Sequence, residues 1–547
     1  MRRLILAVVA LVGGLGLFFY LGSRPGPPLD RIQVSPPSPT TTTAPYAASS
    51  RDPVGHAGWI AIENAKPGTS AWTISKPQRP HSIEGYADHV SAQRGTAVQL
   101  FVSTTAPTFH VEAYRMGYYQ GYQARLVWRS AEVPGMVQPI PHATGSTHTI
   151  ECHWKASLAF TVGQDWPPGD YLLKLVGAGL QQQYVPLTVR DDSSHATYLV
   201  VNAVTTWQAY NQWGGYDLYS GPSATGSAAP GSSYATRSRA VSFDRPYDAN
   251  FGQGAADFLG NELPLVSMVE RLGLDVTYTT DVNLDLRPRL ILNHKALLSL
   301  GHDEYWSASM RQGVIDAEQA GVNMAFLGAN AIYRHIRFDS TGLGPDRLII
   351  CYKVATEDPL YGTNNAAVTT QWADPPVPRP ESTIIGDMYS CNPVRAAMVI
   401  VDPTSWLFAG TGAKDRARLY GLVGSEYDHY DPALPGPRNV EILAHSPVSC
   451  GGRSDYADAT YFTAPSGAGV FASGTNYWVP AIGNGCSGTQ LCAAAVANKV
   501  TENLLAAYAT GPAGVIHPSV SNWQKFLRYR PGRGPSETTT TISPAQG

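Results

Sequence analysis

The stretch Ala296-Leu-Leu-Ser-Leu300-Gly301-His302-Asp303-Glu304-Tyr305-Trp306-Ser307 decides the fold. Its apolar opening reads as a buried strand that ends at Gly301. Ser307 can cap a helix whose inner stripe is Met310, Val314 and Ala317, and Gly321 stops that helix. Val322–Leu327 then reads as a further strand. Strand, loop, helix, strand is the pattern of a parallel sheet with crossover helices. Toward the N-terminus, Asp275–Thr279 and Thr197–Asn202 read as strands of the same kind. Between them Leu263–Leu272 reads as a helix with Leu265, Val266, Val269 and Leu272 on one face. Toward the C-terminus, Leu348–Val354, Arg418–Val423 and Gly469–Gly474 read as strands. Leu491–Tyr508 reads as a final helix with Val496, Val500 and Leu504 facing the core.

Before about residue 190 the texture is all-β. Short apolar runs recur at Ala97–Ser103, Phe109–Arg115, Ser157–Val162, Tyr171–Val176 and Tyr184–Val189, broken by Gly, Pro and Asp. Val111 and Ala113 alternate with Glu112 and Tyr114, as a half-buried strand requires. This predicts a β-sandwich of immunoglobulin-like size, serving as a spacer or packing module ahead of any binding role. A chain of 547 residues exceeds what one core supports, so the fold is multidomain. The expected map is a leader at 1–23, a linker at 24–50, the sandwich at 51–192, the α/β domain at 193–510 and a flexible polar tail at 511–547. The formal net charge of −3 excludes a strongly basic nucleic-acid binder. With 43% hydrophobic residues, global disorder is excluded too. The 53 Gly and 42 Pro argue against a long-helix bundle.

Arg2 and Arg3 precede an apolar run from Leu4 to Leu21. That pattern fits an uncleaved membrane anchor, which we favour, or a cleaved signal peptide. Either exports the body, leaving it anchored outside the cell membrane or secreted. Residues 24–50 are rich in Pro, Ser and Thr and read as an extended tether. The six cysteines, Cys152, Cys351, Cys391, Cys450, Cys486 and Cys492, fit an oxidising compartment. Cys486 with Cys492 closes a short ring in a Gly/Ser loop, and Cys351 with Cys391 is the second expected pair. No C-x-x-C occurs, so zinc ligation is the weaker reading.

In open α/β sheets ligands bind beyond the carboxyl ends of the strands. After the first strand comes Trp207-Gln-Ala-Tyr210-Asn211, an aromatic loop with an amide, read as substrate-binding. After Ala296–Leu300 comes His302-Asp303-Glu304, in which His302 and Glu304 share a side because alternate residues do. They read as a base and its orienting partner, or as ligands to one ion. For Asp303 the preferred reading is a helix cap that complements the dipole; for Glu304 capping and chemistry stand level. Tyr305 beside Trp306 can simply be core. After Val322–Leu327 comes Asn330-Ala-Ile-Tyr333, and after Arg418–Val423 comes Gly424-Ser-Glu426. A lone carboxylate such as Glu426 at the end of an apolar strand costs several kcal/mol unless it is paired or binds a cation. A salt bridge is its structural alternative.

Several chemistries are missing. There is no G-x-S-x-G elbow, no Walker loop and no H-E-x-x-H. Asn330 stands where an amidotransferase-type sheet would carry a nucleophilic cysteine. The G-x-G-x-x-G string Gly483–Gly488 lies before the last helix with no strand to complete a βαβ unit, so it reads as a loop. Nucleophilic Ser or Cys hydrolysis, nicotinamide redox and phosphoryl transfer are disfavoured.

Seven ordered segments resemble the large (β) subunit family of N,N-dimethylformamidase. They are Gly85-Tyr-Ala87, Tyr114-Arg-Met-Gly-Tyr-Tyr-Gln-Gly121, Trp207-Gln-Ala-Tyr-Asn211, Ser242-Phe-Asp-Arg-Pro-Tyr247, Gly301-His-Asp-Glu-Tyr-Trp306, Leu327-Gly-Ala-Asn-Ala-Ile-Tyr333 and Gly424-Ser-Glu-Tyr-Asp428. The resemblance implies a β-sandwich followed by a glutamine-amidotransferase-like, flavodoxin-like α/β domain. It implies hydrolysis of a small amide at a mononuclear iron held by two tyrosines and one glutamate. The matching candidates are Tyr305, Tyr333 and Glu426, with Tyr352 as a fallback; His302, Glu304 and Asn330 would assist catalysis. The family enzyme works with a small partner subunit that this chain does not encode, and Asp303 stands where the family pattern has Pro. An exported anchor is not expected of a cytoplasmic solvent-degrading amidase. Two functions are carried forward. One is an exported hydrolase of C–N bonds, iron-dependent, with a small amide substrate and no nucleic-acid partner. The other is a non-catalytic envelope protein that binds glycan or protein through the sandwich and the aromatic rim.

Overall fold

The computed structural model describes residues 58–74, 79–222, 232–484, 486 and 491–526. The expected leader, tether and terminal Thr-rich run lie outside the described residues, as does part of the Gly483–Gly488 string. Among the described residues no helix is long and apolar enough to cross a membrane. The described residues all belong to one compact unit, which is β-rich with several sheets and intervening helices.

The N-terminal part follows the alternation read from the sequence. Thr108–Met116 buries Phe109, Val111 and Ala113 and turns His110 and Glu112 outward. It sits inside a six-stranded sheet, between Gly169–Gly177 and Ala124–Arg129. A three-stranded sheet of Ile83–Ala87, Ala97–Thr104 and Leu158–Thr161 shares its core. Leu100, Val111, Leu173, Leu175 and Leu187 meet there.

The strand–helix alternation builds a seven-stranded sheet. Its parallel part runs Val276–Thr280, Tyr198–Asn202, Ala296–Leu300, Asn323–Leu327 and Gly469–Ala472. In chain order that is second, first, third, fourth, fifth, so the order reverses between the first and third strands. The antiparallel hairpin Glu441–Cys450 and Arg453–Thr463 completes the sheet. Ser307 caps the helix Ala308–Gln319, its Oγ accepting from the Met310 amide at 3.2 Å. Leu300 pairs with Leu327, so these strand ends lie level. There the turns touch: a Cβ on Gly328 would fall 1.3 Å from the Gly301 carbonyl oxygen. Only glycine permits that approach.

Four expectations are corrected. The strand expected at Leu348–Val354 runs Gly344–Ile350, because the chain turns left-handed at Lys353 (φ 64°). The strand expected at Arg418–Val423 continues to His429 and pairs with Met388–Val399 in a separate two-stranded ribbon, so Glu426 lies within a strand and outside the central sheet. Cys351 is buried and unpaired, while Cys391 bonds Cys450; Cys486 bonds Cys492 as expected. Cys351 lies beside Arg239 at the end of another sheet, whereas the ribbon carries Cys391 next to the hairpin that ends in Cys450. Finally, residues 511–526 are not a loose tail. Ala513 and Phe526 are buried, and the Asn522 side chain bonds both backbone groups of Ile442.

Candidate active site

The site forms where the strand order reverses, a position that leaves a crevice between loops running in opposite directions. The first strand leads into the helix Val204–Ala209, and Tyr210 follows it. The third strand leads through Gly301 to His302, Asp303 and Glu304. Thr206 links the two, its Oγ accepting from the Glu304 amide at 2.9 Å.

Glu304 is the hub. Its Oε2 accepts from the Tyr210 hydroxyl at 2.7 Å and lies 2.9 Å from the Tyr219 hydroxyl; the two hydroxyls are 2.7 Å apart. These oxygens form a nearly equilateral triangle. Tyr305 adds a hydroxyl that donates to Tyr219 at 2.7 Å. Three cationic groups surround the carboxylate. Arg334 Nε lies at 3.4 Å, His302 Nε2 at 3.4 Å, and Lys353 Nζ sits over the Tyr219 ring at 2.9 Å from its centroid. Burial alone would raise the Glu304 carboxyl, but His302, Lys353 and Arg334 hold it down at about 2. Burial and the Glu304 charge keep the three phenols well above their ordinary range, so Tyr210 and Tyr219 donate to the carboxylate and Tyr305 donates to Tyr219. Burial and Arg334 push the Lys353 ammonium well below its usual range, and Nζ has no hydrogen-bond partner in the protein.

His302 bridges to a second carboxylate. Its Nε2 lies 3.1 Å from Glu426 Oε2, an ion-pair distance outside hydrogen-bond alignment. Burial would lower its pKa, yet Glu426 and Glu304 together raise it well above that of a free imidazole. Glu426 Oε1 accepts from Asn392 at 2.8 Å. Asn330, at the end of the fourth strand, has a left-handed backbone (φ 61°) and a side-chain oxygen with no partner. Ile332 follows at φ 55°, where a β-branched residue is strained.

The sequence-derived candidates thus separate. Tyr210, His302, Glu304, Tyr305 and Glu426 are brought into one contiguous set. Tyr333 borders this set without joining the oxygen triangle: its amide donates to the Glu304 carbonyl at 3.0 Å, and its ring packs on Tyr389 with centroids 5.0 Å apart and under Arg334. Tyr352 uses its backbone to bond Thr369 and Arg237. Trp207 is 3% exposed and donates to Glu262 at 2.9 Å. Asn211 spends its amide within the fold, accepting from Trp213 and Asp248 and donating to Pro246. Asp303 is no helix cap: it accepts from Ser299 and from the Trp306 indole, both at 2.8 Å. Sequence reasoning missed Tyr219, Lys353, Arg334 and Asn392. A lone lysine in Ile349-Ile-Cys-Tyr-Lys353-Val was the same signal that singled out Glu426.

Among the described residues no three His, Cys, Asp or Glu side chains form a metal cage. The oxygen triangle is of another kind, two phenols and one carboxylate. An octahedral oxygen shell with bonds of about 2.0–2.1 Å has edges near ~2.9 Å, the size of this triangle. A hard trivalent or divalent cation suits those donors.

A family model described as N,N-dimethylformamidase beta subunit-like, C-terminal, matches residues 110–488. Compared with curated protein sequences, the chain matches none. A cycloisomaltooligosaccharide glucanotransferase from Paenibacillus sp., solved with cycloisomaltoheptaose, aligns with 50% of this chain and 34% of its own, at 10% identity and a TM-score of 0.14. The chain therefore spans about a third of that enzyme, and so slight a likeness carries no argument.

Proposed function

Since the chain belongs to the N,N-dimethylformamidase beta subunit-like family, we propose that it hydrolyses the C–N bond of a small amide at the Glu304 site. The oxygen triangle of Tyr210, Tyr219 and Glu304 is the observation that carries this reading. Those three residues would hold the iron ion that the family resemblance implies, in place of Tyr305, Tyr333 and Glu426. Ferric iron there supplies Lewis acidity toward an amide carbonyl.

The remaining roles follow from the side chains. Glu426 Oε2 is buried and free of an aligned hydrogen bond, so it can take a proton from water as the water attacks the carbonyl carbon. His302 Nε2, between the two carboxylates, can pass a proton to the leaving nitrogen as the C–N bond breaks. The products are a carboxylic acid and an amine. Asn330 Oδ1 is available to accept from an amide N–H. Asn392 orients Glu426. The aromatic rim invoked for a binding protein is not advanced, because Trp207 and Trp213 are buried.

The finer fold reading is supported by the strand order second-first-third-fourth-fifth, that of flavodoxin-like sheets, and by the two facing, mainly antiparallel sheets of the N-terminal part. Two disulfides support maturation in an oxidising compartment. The β-subunit-like family supports a small partner subunit, recruited from a separate chain.

Full-length protein from iron-replete culture tests the reading. The expected result is about one iron per chain with a tyrosinate charge-transfer band, lost in Tyr210→Phe, Tyr219→Phe and Glu304→Gln. Glu426→Gln should keep the iron and lose turnover of small formamides. Iron-free wild-type protein that cleaves no small amide would end the proposal.

A further inference from the structure

We infer that Arg245 and Trp213 clamp the loop between Tyr210 and Tyr219 and thereby set the spacing of the two phenols. The inference rests on the Proposed function for its consequence and on separate contacts for its substance. The loop contains Gly214 and Gly215, both with positive φ (81° and 84°), so its sequence alone leaves it many conformations. Yet the two hydroxyls it separates lie 2.7 Å apart. The Leu218 amide bonds the Ala209 carbonyl at the foot of the loop (3.0 Å), and groups from outside hold the rest.

Arg245 does so with one planar group. Its Nη1 donates to the carbonyls of Trp213 (2.9 Å) and Tyr216 (2.8 Å), and its Nη2 donates to that of Asn211 (2.9 Å). One guanidinium thus pins the beginning, middle and end of the turn. A lysine ammonium lacks that fork. Arg245 is 1% exposed and among the described residues makes no ion pair, an expensive burial for a cation. Arg115 and Arg347, also buried, each pair with an acid. A guanidinium whose hydrogen bonds all go to loop carbonyls, with the loop's own Asp217 as its main charge partner, points to a positioning role.

The sandwich supplies the second anchor. Trp213 packs edge-on against Trp154 at 5.8 Å and belongs to a cluster with Tyr86, Phe101 and Ile150. Its indole donates to Glu84 Oε2 at 2.8 Å. Near the far end, Asp217 Oδ1 accepts from the amides of Tyr219 (2.7 Å) and Ser220 (2.6 Å), fixing the turn that presents the second phenol. The sandwich is thereby a wall of the active site's support, beyond a spacer.

The test compares full-length wild type with Arg245→Lys, which keeps the charge and loses the fork. Trp213→Phe, which keeps a ring and loses the indole donor, is the milder variant should Arg245→Lys not accumulate. Amide hydrogen exchange is read first, on metal-free protein. The expected result is exchange about tenfold faster across 211–220, with strand Gly169–Gly177 unchanged. Iron-loaded protein is read second, with an expected shift of the charge-transfer band relative to wild type at equal iron content. Wild-type exchange across 211–220 in the folded variant overturns the clamp. Wild-type exchange rates with an altered band also overturn it, because the phenols would then be set by something else. Iron-free wild type with faster loop exchange in the variants supports the clamp while removing the metal reading.

Discussion

Two buried polar clusters of the molecule are built on opposite principles. The first centres on Arg115 and Glu270, both fully buried, paired at 2.5 Å. Arg115 also donates to Tyr119 and to the Pro168 carbonyl; Glu270 also accepts from Asn64 and Tyr278. Glu63 closes the ring by accepting from Tyr119, Arg125 and Lys66. Burial would raise the Glu63 carboxyl, but Arg115, Arg125 and Lys66 hold it below the usual range. The second cluster, around Glu304, leaves Lys353 Nζ and Asn330 Oδ1 without partners and Glu426 Oε2 unaligned. A closed network locks the sandwich to the α/β part. An open one keeps valences for something that arrives later.

Breaking the closed network should cost the most stability. Glu270→Ala leaves the Arg115 charge buried and unpaired, and should lower the unfolding free energy by about 3–5 kcal/mol in urea titration. A loss below about 1 kcal/mol would contradict the contrast. At the open site, Glu304→Gln should lose the iron and cut turnover by at least roughly 10²–10³-fold, about 3–4 kcal/mol in transition-state terms, with a smaller loss of stability than Glu270→Ala because the amide still accepts hydrogen bonds. Steady-state kinetics beside the same urea titration reads both; equal losses in each would erase the distinction.

Asp170 is the exception inside the closed network. Its Oδ2 has no partner, and burial raises its pKa to about 7 despite Asn202, Thr188 and Arg115. The native state then holds more protons than the unfolded chain between about pH 4 and 7. Its contribution to stability is full below that window and is lost as pH rises through 7. Asp170→Asn should therefore match wild type near pH 4 and exceed it by ~1–2 kcal/mol at pH 8, followed by thermal unfolding across pH. A constant difference between the two would refute the assignment. The smallest effect is expected for Tyr305→Phe, which removes one hydroxyl from Tyr219 and should slow turnover about tenfold with iron retained. Loss of the iron in this variant would make Tyr305 a ligand.

Local pattern was enough to read the parallel strands, the Ser307 cap and the in-out alternation of Thr108–Met116, because each is set by spacing within a few residues. His302 and Glu304 were legible for the same reason: two residues apart in an extended turn, they had to share a side. Tyr219 was not, because its role depends on a loop held by Arg245, far along the chain. Glu426 was singled out by its charge, but its ribbon was misplaced. The run Arg418–Val423 looks like a central strand whether it pairs with the parallel sheet or with Met388–Val399. Long-range pairing, which decides between them, leaves no local trace in apolar character. The Cys351–Cys391 expectation failed on the same ground.

The Cys391–Cys450 bond has a consequence for how the protein is made. Cys391 lies opposite Tyr427, one residue from Glu426, and its neighbour Asn392 holds that carboxylate. The bond fastens this arm to the hairpin beside it. A host that keeps its thiols reduced would deliver the same sheets with the arm unfastened. Preparations from two cell types could then share one circular-dichroism spectrum and differ in whether the acid meets its imidazole.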